Sequence, residues 1–283
     1  MSDRMWRYGI HSLLEILQRN LPETSKHMLC FIEMVSLVLK RLVLSNSALG
    51  DSLFEQLGDV ARYGMFAAKM DSRHWKFMSQ YWYQKAADRH PGSGKFQHHV
   101  AVLSQSDPLR TLFYLTKALI SVQPFPDTRV TFGRFFNDWA NSAPRKITMT
   151  TSFIAAHCVL LAGDSIQRFM TLTNDFLSLL PLYLQHHGHQ GQHTAYIMSC
   201  NLASVFNYGD PAFMAMVSSQ SRSGHTPQTN QLGLANQKQA YGVHLTFQTL
   251  SVLLQYGNSH NSVPAIHISL AFLCAVVGYL TSQ

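Results

Sequence analysis

Two neighbouring residues in the string LGDVARY, Arg62 and Tyr63, are of types that can hold a phosphate. A guanidinium gives phosphate oxygens two parallel charge-assisted hydrogen bonds, and an adjacent phenol adds a neutral donor. The competing reading of Arg62 is a helix-surface arginine paired with Asp59 or another acid. A second chemistry is written in Lys76, Lys85, Arg89 and Lys95, which interleave with Trp75, Trp82 and Tyr83. Such a pattern makes stacking platforms beside a basic groove for single-stranded nucleic acid. The same aromatics at those offsets also suit a helical core, with the cations as its solvated face. The most metal-like stretch is HHGHQGQH, His186 to His193, whose glycine and glutamine content and lack of an acidic partner favour a solvated loop. Cys30, Cys158, Cys200 and Cys274 have no C-x-x-C spacing, which indicates neither a zinc site nor a disulfide framework. With no nucleophile motif, metal box or phosphate loop, the expectation is a non-enzyme with no cofactor and no small-molecule substrate.

The elements that would carry these residues are helices. Trp6, Ile10, Leu13, Leu14 and Leu17 recur at helical spacing, and after Leu21-Pro22 so do Met28, Phe31, Ile32, Val35, Val38, Leu39 and Leu42. Ser52 and Glu55 are spaced as a capping box for the helix bearing Arg62, Asp71 is placed to cap the next, and Asp107-Pro108 to start a later one. Tyr83, Ala86 and Pro91 match the second half of a tetratricopeptide-like repeat, with Lys69 to Lys76 read as an inserted turn. Further helices are expected near Phe132 to Trp139, Thr148 to Leu161, Asp164 to Gln185 with a kink at Pro181, His193 to Phe206, and Tyr241 to Tyr256. Ser218 to Gln239 reads as a mobile connection, and Val263 to Leu280 as a buried helix rather than a membrane anchor. The fold class is therefore all-α: one continuous, elongated α-α helical repeat array, with domains at 1–126 and 127–283.

Charge is uneven along this array. Residues 1–150 hold 19 Lys or Arg against 12 Asp or Glu, a surplus of seven, while residues 151–283 hold three of each sign. After Lys238 there is no Asp, Glu, Lys or Arg at all. The charged start MSDRMWRYG does not open a secretory signal, and with the cysteine usage this points to nucleus or cytoplasm.

The string LGDVARY, then YWYQKAADRHP, FQHHVAVL and LRTLFYLTKALISVQPF, resembles the Est-one and SMG-type family: the telomerase-associated ever-shorter-telomeres protein and the nonsense-mediated mRNA decay adaptors. The likeness is to a fungal-like member with a DNA/RNA-binding domain. It implies a 14-3-3-like and tetratricopeptide-like domain followed by helical hairpins, and further helices before residue 1, so the chain is expected to be truncated. Val263-Pro264-Ala265-Ile266-His267 is similar to the start of a distal hairpin helix of that family. In 14-3-3 proteins a GD-x-x-RY segment offers its Arg and Tyr to a phosphoserine, which implies that role for Arg62 and Tyr63. The family's second cation is a Lys five residues after a helix Trp; here that position is His11, cationic only when protonated. Where many decay adaptors read RYR, this chain has Gly64.

The resemblance implies an adaptor for a phosphorylated protein, the RNA helicase of nonsense-mediated decay. The alternative is a telomerase-associated or RNA-contacting subunit that binds RNA or telomeric single-stranded DNA through the basic N-terminal half. The family's endonuclease activity sits in a separate PIN domain with clustered acids, and only three acids follow residue 150 here.

Overall fold

The structure, a computed structural model, describes residues 4–45, 50–141, 146–186, 191–220, 229–256 and 259–281. Among them are thirteen α-helices and no strand, as the hydrophobic periodicity requires. The chain separates into two compact units, Met1–Leu103 with Ser121–Gln123, and Ser104–Ile120 with Pro124–Gln283. The expectation of one continuous unit divided at residue 126 is corrected accordingly: the helix Pro108–Leu119 carries its buried face into the second unit.

In the first unit a π-helical turn, Met5–His11, leads into α1, Ser12–Arg19. It is followed by α2 (Ser25–Ser45), α3 (Gly50–Ala67), α4 (Ser72–Arg89) and α5 (Gly94–Leu103). Each helix from α2 to α5 packs on its chain neighbour, with α3 held between α2 and α4. The core follows the sequence periodicity: Ile10, Leu14, Met28, Ile32, Val35 and Leu39 meet Leu53, Phe54, Leu57 and Val60 of α3. Two glycines let the next helix approach. A Cβ at Gly58 would lie 2.7 Å from the Tyr83 ring, and one at Gly64 would lie 2.4 Å from the Trp75 ring. Real Cβ atoms do not come so close, so both sites must stay bare for α4 to pack here. Ser79 closes the same seam by donating to the Gly58 carbonyl at 2.9 Å. Tyr83 and Ala86 are wholly buried, which is the packing role that the repeat spacing assigns them.

Several local expectations change. Helix α3 begins at Gly50, so Ser52 lies inside it rather than at its cap. Asp71 occupies the N-cap of α4 but its side chain makes no capping bond. The turn before α4 is confined to residues 68–71, and Arg73 to Lys76 are helical.

The second unit comprises α6 (Pro108–Leu119), α7 (Asp127–Asn141), α8 (Met149–Ala162), α9 (Ile166–His186), α10 (Gly191–Val205), α11 (Pro211–Gln220), α12 (Thr229–Tyr256) and α13 (Ser259–Thr281). Asp107 caps α6 by accepting from the Arg110 amide at 3.1 Å, with Pro108 in the first turn. Thr148 and Thr151 cap α8 reciprocally, and Gly163 ends it in a left-handed conformation at φ 70°. Helix α9 continues through Pro181. Helix α10 packs on α6, α12 and α13. Its closeness to α12 depends on Gly242, where a Cβ would meet the Ser204 hydroxyl and the Val205 amide at 2.8 Å.

The polar stretch Ser218 to Gln239 is helical at both described ends, in α11 and α12, while residues 221–228 lie outside the described residues. The histidine-rich stretch is also not a loop throughout: residues 187–190 lie outside the described residues, and His193 stands in α10, where its Nδ1 is hydrogen-bonded to the Tyr183 hydroxyl. Helix α13 departs from its expected burial, since Val263, Leu270 and Leu273 are exposed. Among the described residues no helix is long and apolar enough to cross a membrane.

Candidate phosphate-binding site

Of the three residues that the 14-3-3-like resemblance singles out, the fold brings two, Tyr63 and His11, into contact. Tyr63 on α3 and His11 at the end of the π-turn, 52 positions apart, meet at 3.3 Å between the hydroxyl and Nε2. Their rings stand edge to face, 5.9 Å between centroids. The wider turn of the π-helix ends at His11, and Trp6, one turn earlier, lies 6.3 Å from the imidazole. Tyr63 is 6% exposed, so its ring is anchored in the core while its hydroxyl reaches His11.

Arg62, the next residue, keeps 40% of its side chain exposed. Among the described residues it is bonded from Nη2 to Asp59 Oδ1 at 3.3 Å, one turn earlier on α3. The competing reading of Arg62, a helix-surface arginine paired with Asp59, is the pairing found. Asp59 has a stronger partner in Tyr83, whose hydroxyl donates to the same oxygen at 2.6 Å. Burial raises the Asp59 carboxyl above its ordinary value, and the Tyr83 hydrogen bond and Arg62 act against that rise. Tyr83 is pushed well above the usual phenol value, first by burial and then by the Asp59 charge. It therefore remains a donor to Asp59 throughout the working pH range. A glycine, a buried tyrosine and an acid form the foundation on which Arg62 stands.

The electrostatics near the exposed edge are mixed. Glu15 lies 3.8 Å from His11 Nδ1. Tyr63 is raised above the ordinary phenol value by burial first and by the Glu15 carboxylate second. His99, stacked on Tyr83 with centroids 4.7 Å apart, is driven down to about 3 by burial and then by Arg62. It is neutral near pH 7 and adds no cation. Gly64, where many decay adaptors have a further arginine, faces the Trp75 ring too closely for any side chain. That missing charge is a packing requirement of this chain.

The nucleic-acid candidates do not form one group. Lys95 is paired with Glu55 of α3. Lys85 lies 5.7 Å from the Tyr81 ring and Arg89 5.2 Å from the Phe54 ring, one turn apart on α4. Lys76 precedes Lys85 by nine positions, which at about 100° per residue puts it on the opposite side of the helix. The interleaved aromatics are packing residues: Tyr83 is buried, Trp82 stacks on Phe54 at 5.8 Å, and Trp75 covers Gly64.

A second polar centre lies in the other unit, and no motif announced it. His157 of α8, wholly buried, is bonded through Nδ1 to the Tyr208 hydroxyl and through Nε2 to Asn201 Oδ1 at 3.1 Å. Asn201 Nδ2 donates on to Thr249 Oγ1 of α12 at 3.0 Å. An amide oxygen only accepts, so Nε2 carries the proton and Nδ1 accepts from Tyr208. Burial lowers His157 to about 4, and the imidazole is neutral. Tyr208 holds a left-handed backbone at φ 54°, a conformation costly for a tyrosine. The chain of four side chains ties α8, α10, α12 and the short turn Asn207–Gly209 together. Its residues share no spacing in the sequence that would have revealed it.

No family model matches this chain, and no curated protein matches it. The likeness to the Est-one and SMG-type family rests on the residues quoted above.

Proposed function

We propose that this chain is a non-catalytic helical adaptor that binds a phosphorylated segment of another protein at Arg62, Tyr63 and His11. The observation that supports the proposal is the bond between Tyr63 and His11 across 52 positions, with the part-exposed Arg62, bonded to Asp59 at 3.3 Å, next to Tyr63 in the chain. Arg62 supplies the bidentate charged contact, drawn partly away from Asp59, whose oxygen keeps the Tyr83 hydroxyl. Tyr63 supplies a neutral donor under control of His11. With a neutral imidazole the phenol donates to Nε2; with a protonated one Nε2 donates to the phenol oxygen, and the phenol O–H is left to donate a hydrogen bond to the phosphate. The protonated ring also adds the second positive charge that a phosphate of nearly two negative charges calls for. Service in RNA surveillance, with the phosphorylated decay helicase as partner, follows from the motif resemblance and is the pathway we propose.

The test is titration of one serine peptide, phosphorylated and unphosphorylated, below and above neutral pH, with the native chain and with His11→Lys. The phosphorylated peptide should bind more tightly, and His11→Lys should strengthen it most at the higher pH. Equal affinity for the two peptides overturns the proposal.

A further inference from the structure

A cavity opens one helical turn beyond Arg62 and Tyr63. It holds about 480 Å³ and is lined by Leu21 after α1, Leu29 on α2, and Phe66, Ala67 and Met70 at the end of α3 and in the turn that follows. Phe66 and Ala67 stand four positions after Arg62 and Tyr63. Each therefore lies on the same side of α3 as its counterpart, about 6 Å further along the helix. Helix α1 leads the same way. His11, bonded to Tyr63, precedes its first residue, and Leu21, at the cavity, comes just after its end.

Two of the apolar lining residues face water, Met70 at 97% exposure and Phe66 at 49%. A methionine is unbranched and flexible, which suits it to close over a guest of irregular outline. Lys69 and Asp71, also in the lining, are of opposite sign, so the cavity has no surplus charge with which to hold an ion. What fits it is an apolar side chain.

The neighbouring site selects the source of that side chain. A peptide held by its phosphoserine in an extended conformation rises about 3.3 Å per residue and turns the side chain two positions away to the same face, about 7 Å on. That step matches the offset of about 6 Å from Arg62 and Tyr63 to Phe66 and Ala67. We infer, on the reading of Arg62, Tyr63 and His11 as a phosphate site, that the phosphorylated partner carries a large apolar residue two positions from its phosphoserine, and that this residue fills the cavity. The ligand is thereby narrowed from any phosphoserine to one class of peptide.

The test uses the full chain and serine peptides of one length that differ in two features: the phosphate, and the residue two positions to one side or the other, phenylalanine or glutamine. One of the two phenylalanine placements should bind the chain roughly tenfold or more tightly than the glutamine peptide, as removal of an aromatic ring from water requires. In the double variant Phe66→Ser with Met70→Ser that advantage should fall below about twofold. Both side chains are exposed, so circular dichroism should be unchanged. Phosphorylated peptides that bind alike with phenylalanine and with glutamine overturn the inference and leave the phosphate site standing. An advantage kept in full by the double variant also overturns it, since the ring then binds elsewhere. Equal binding with and without the phosphate removes the phosphate site and the inference with it. Self-association of the chain, or flotation with neutral lipid vesicles, that is lost in the double variant while the peptides bind alike assigns the cavity to a second copy or a bilayer and overturns the inference.

Discussion

Each unit holds a tyrosine whose hydroxyl is committed to a polar partner inside the fold, and the two differ in what lies beyond that bond. Tyr208 donates to His157, which passes the chain on to Asn201 and Thr249, all of them buried and neutral. Tyr83 donates to Asp59, whose same oxygen also accepts from Arg62, a charged group that reaches solvent. The inner network ends in the Thr249 hydroxyl, which is wholly buried. The outer one ends in a guanidinium that is bonded to Asp59 and 40% exposed. Low dielectric makes an unpaired buried group costly, so a closed network serves the fold, whereas an open one retains donors for a partner.

The comparison is broken most severely at Asn201. Replacing it by leucine leaves the His157 Nε2 proton and the Thr249 hydroxyl without partners in the interior, and should cost about 4 kcal/mol in urea unfolding. A loss under about 1 kcal/mol would mean that the network contributes little to the fold.

The next effect is one of pH. His157 in the folded chain titrates at about 4, below the ordinary histidine value of 6.5, so the unfolded chain takes up its proton first as pH falls. The stability present above pH 6.5 is lost between 6.5 and 4, by about 3 kcal/mol in all. Asp59 works in the opposite sense. Its folded value is raised, so its contribution declines as pH rises from the ordinary carboxyl value through the folded one. Unfolding measured across this range in the native chain and in Asp59→Asn should show a steeper loss toward acid in the variant, which lacks the opposing group. Identical slopes would remove Asp59 from the account.

Tyr83→Phe is milder, because the aromatic packing against Gly58 survives and only the 2.6 Å bond is lost. It should cost about 2 kcal/mol, as expected for a hydrogen bond to a charged acceptor. It should also draw Arg62 closer to Asp59 and so weaken phosphopeptide binding. Unaltered binding would separate the foundation from the site above it.

Much of this architecture was readable in advance because it is local. Thr148, Asp107-Pro108 and the Tyr83, Ala86, Pro91 spacing act within a turn or two, and each helix is found where they put it. The division of the chain was misplaced, since the side on which the helix Pro108–Leu119 packs is decided by distant contacts. Arg62, Tyr63 and His11 were identified through a motif. Asp59 looked like a mere pairing acid, because its bond to Tyr83 spans 24 positions and exists only once Gly58 admits the ring. Burial of α13 was inferred from its apolar composition, yet composition does not report whether the outer side of a helix has a neighbour.

The central claim is that Arg62 is held for a ligand and not for the fold, and one variant examined in two ways tests it. Arg62→Ala should change unfolding stability by less than about 0.5 kcal/mol, since an exposed ion pair within one helix is screened by solvent. In the same preparation, affinity for a phosphoserine peptide should fall roughly tenfold or more, with the loss of a charge-assisted contact. Unchanged phosphopeptide affinity would contradict the account, and so would a stability loss of about 2 kcal/mol or more, which would assign Arg62 to the scaffold.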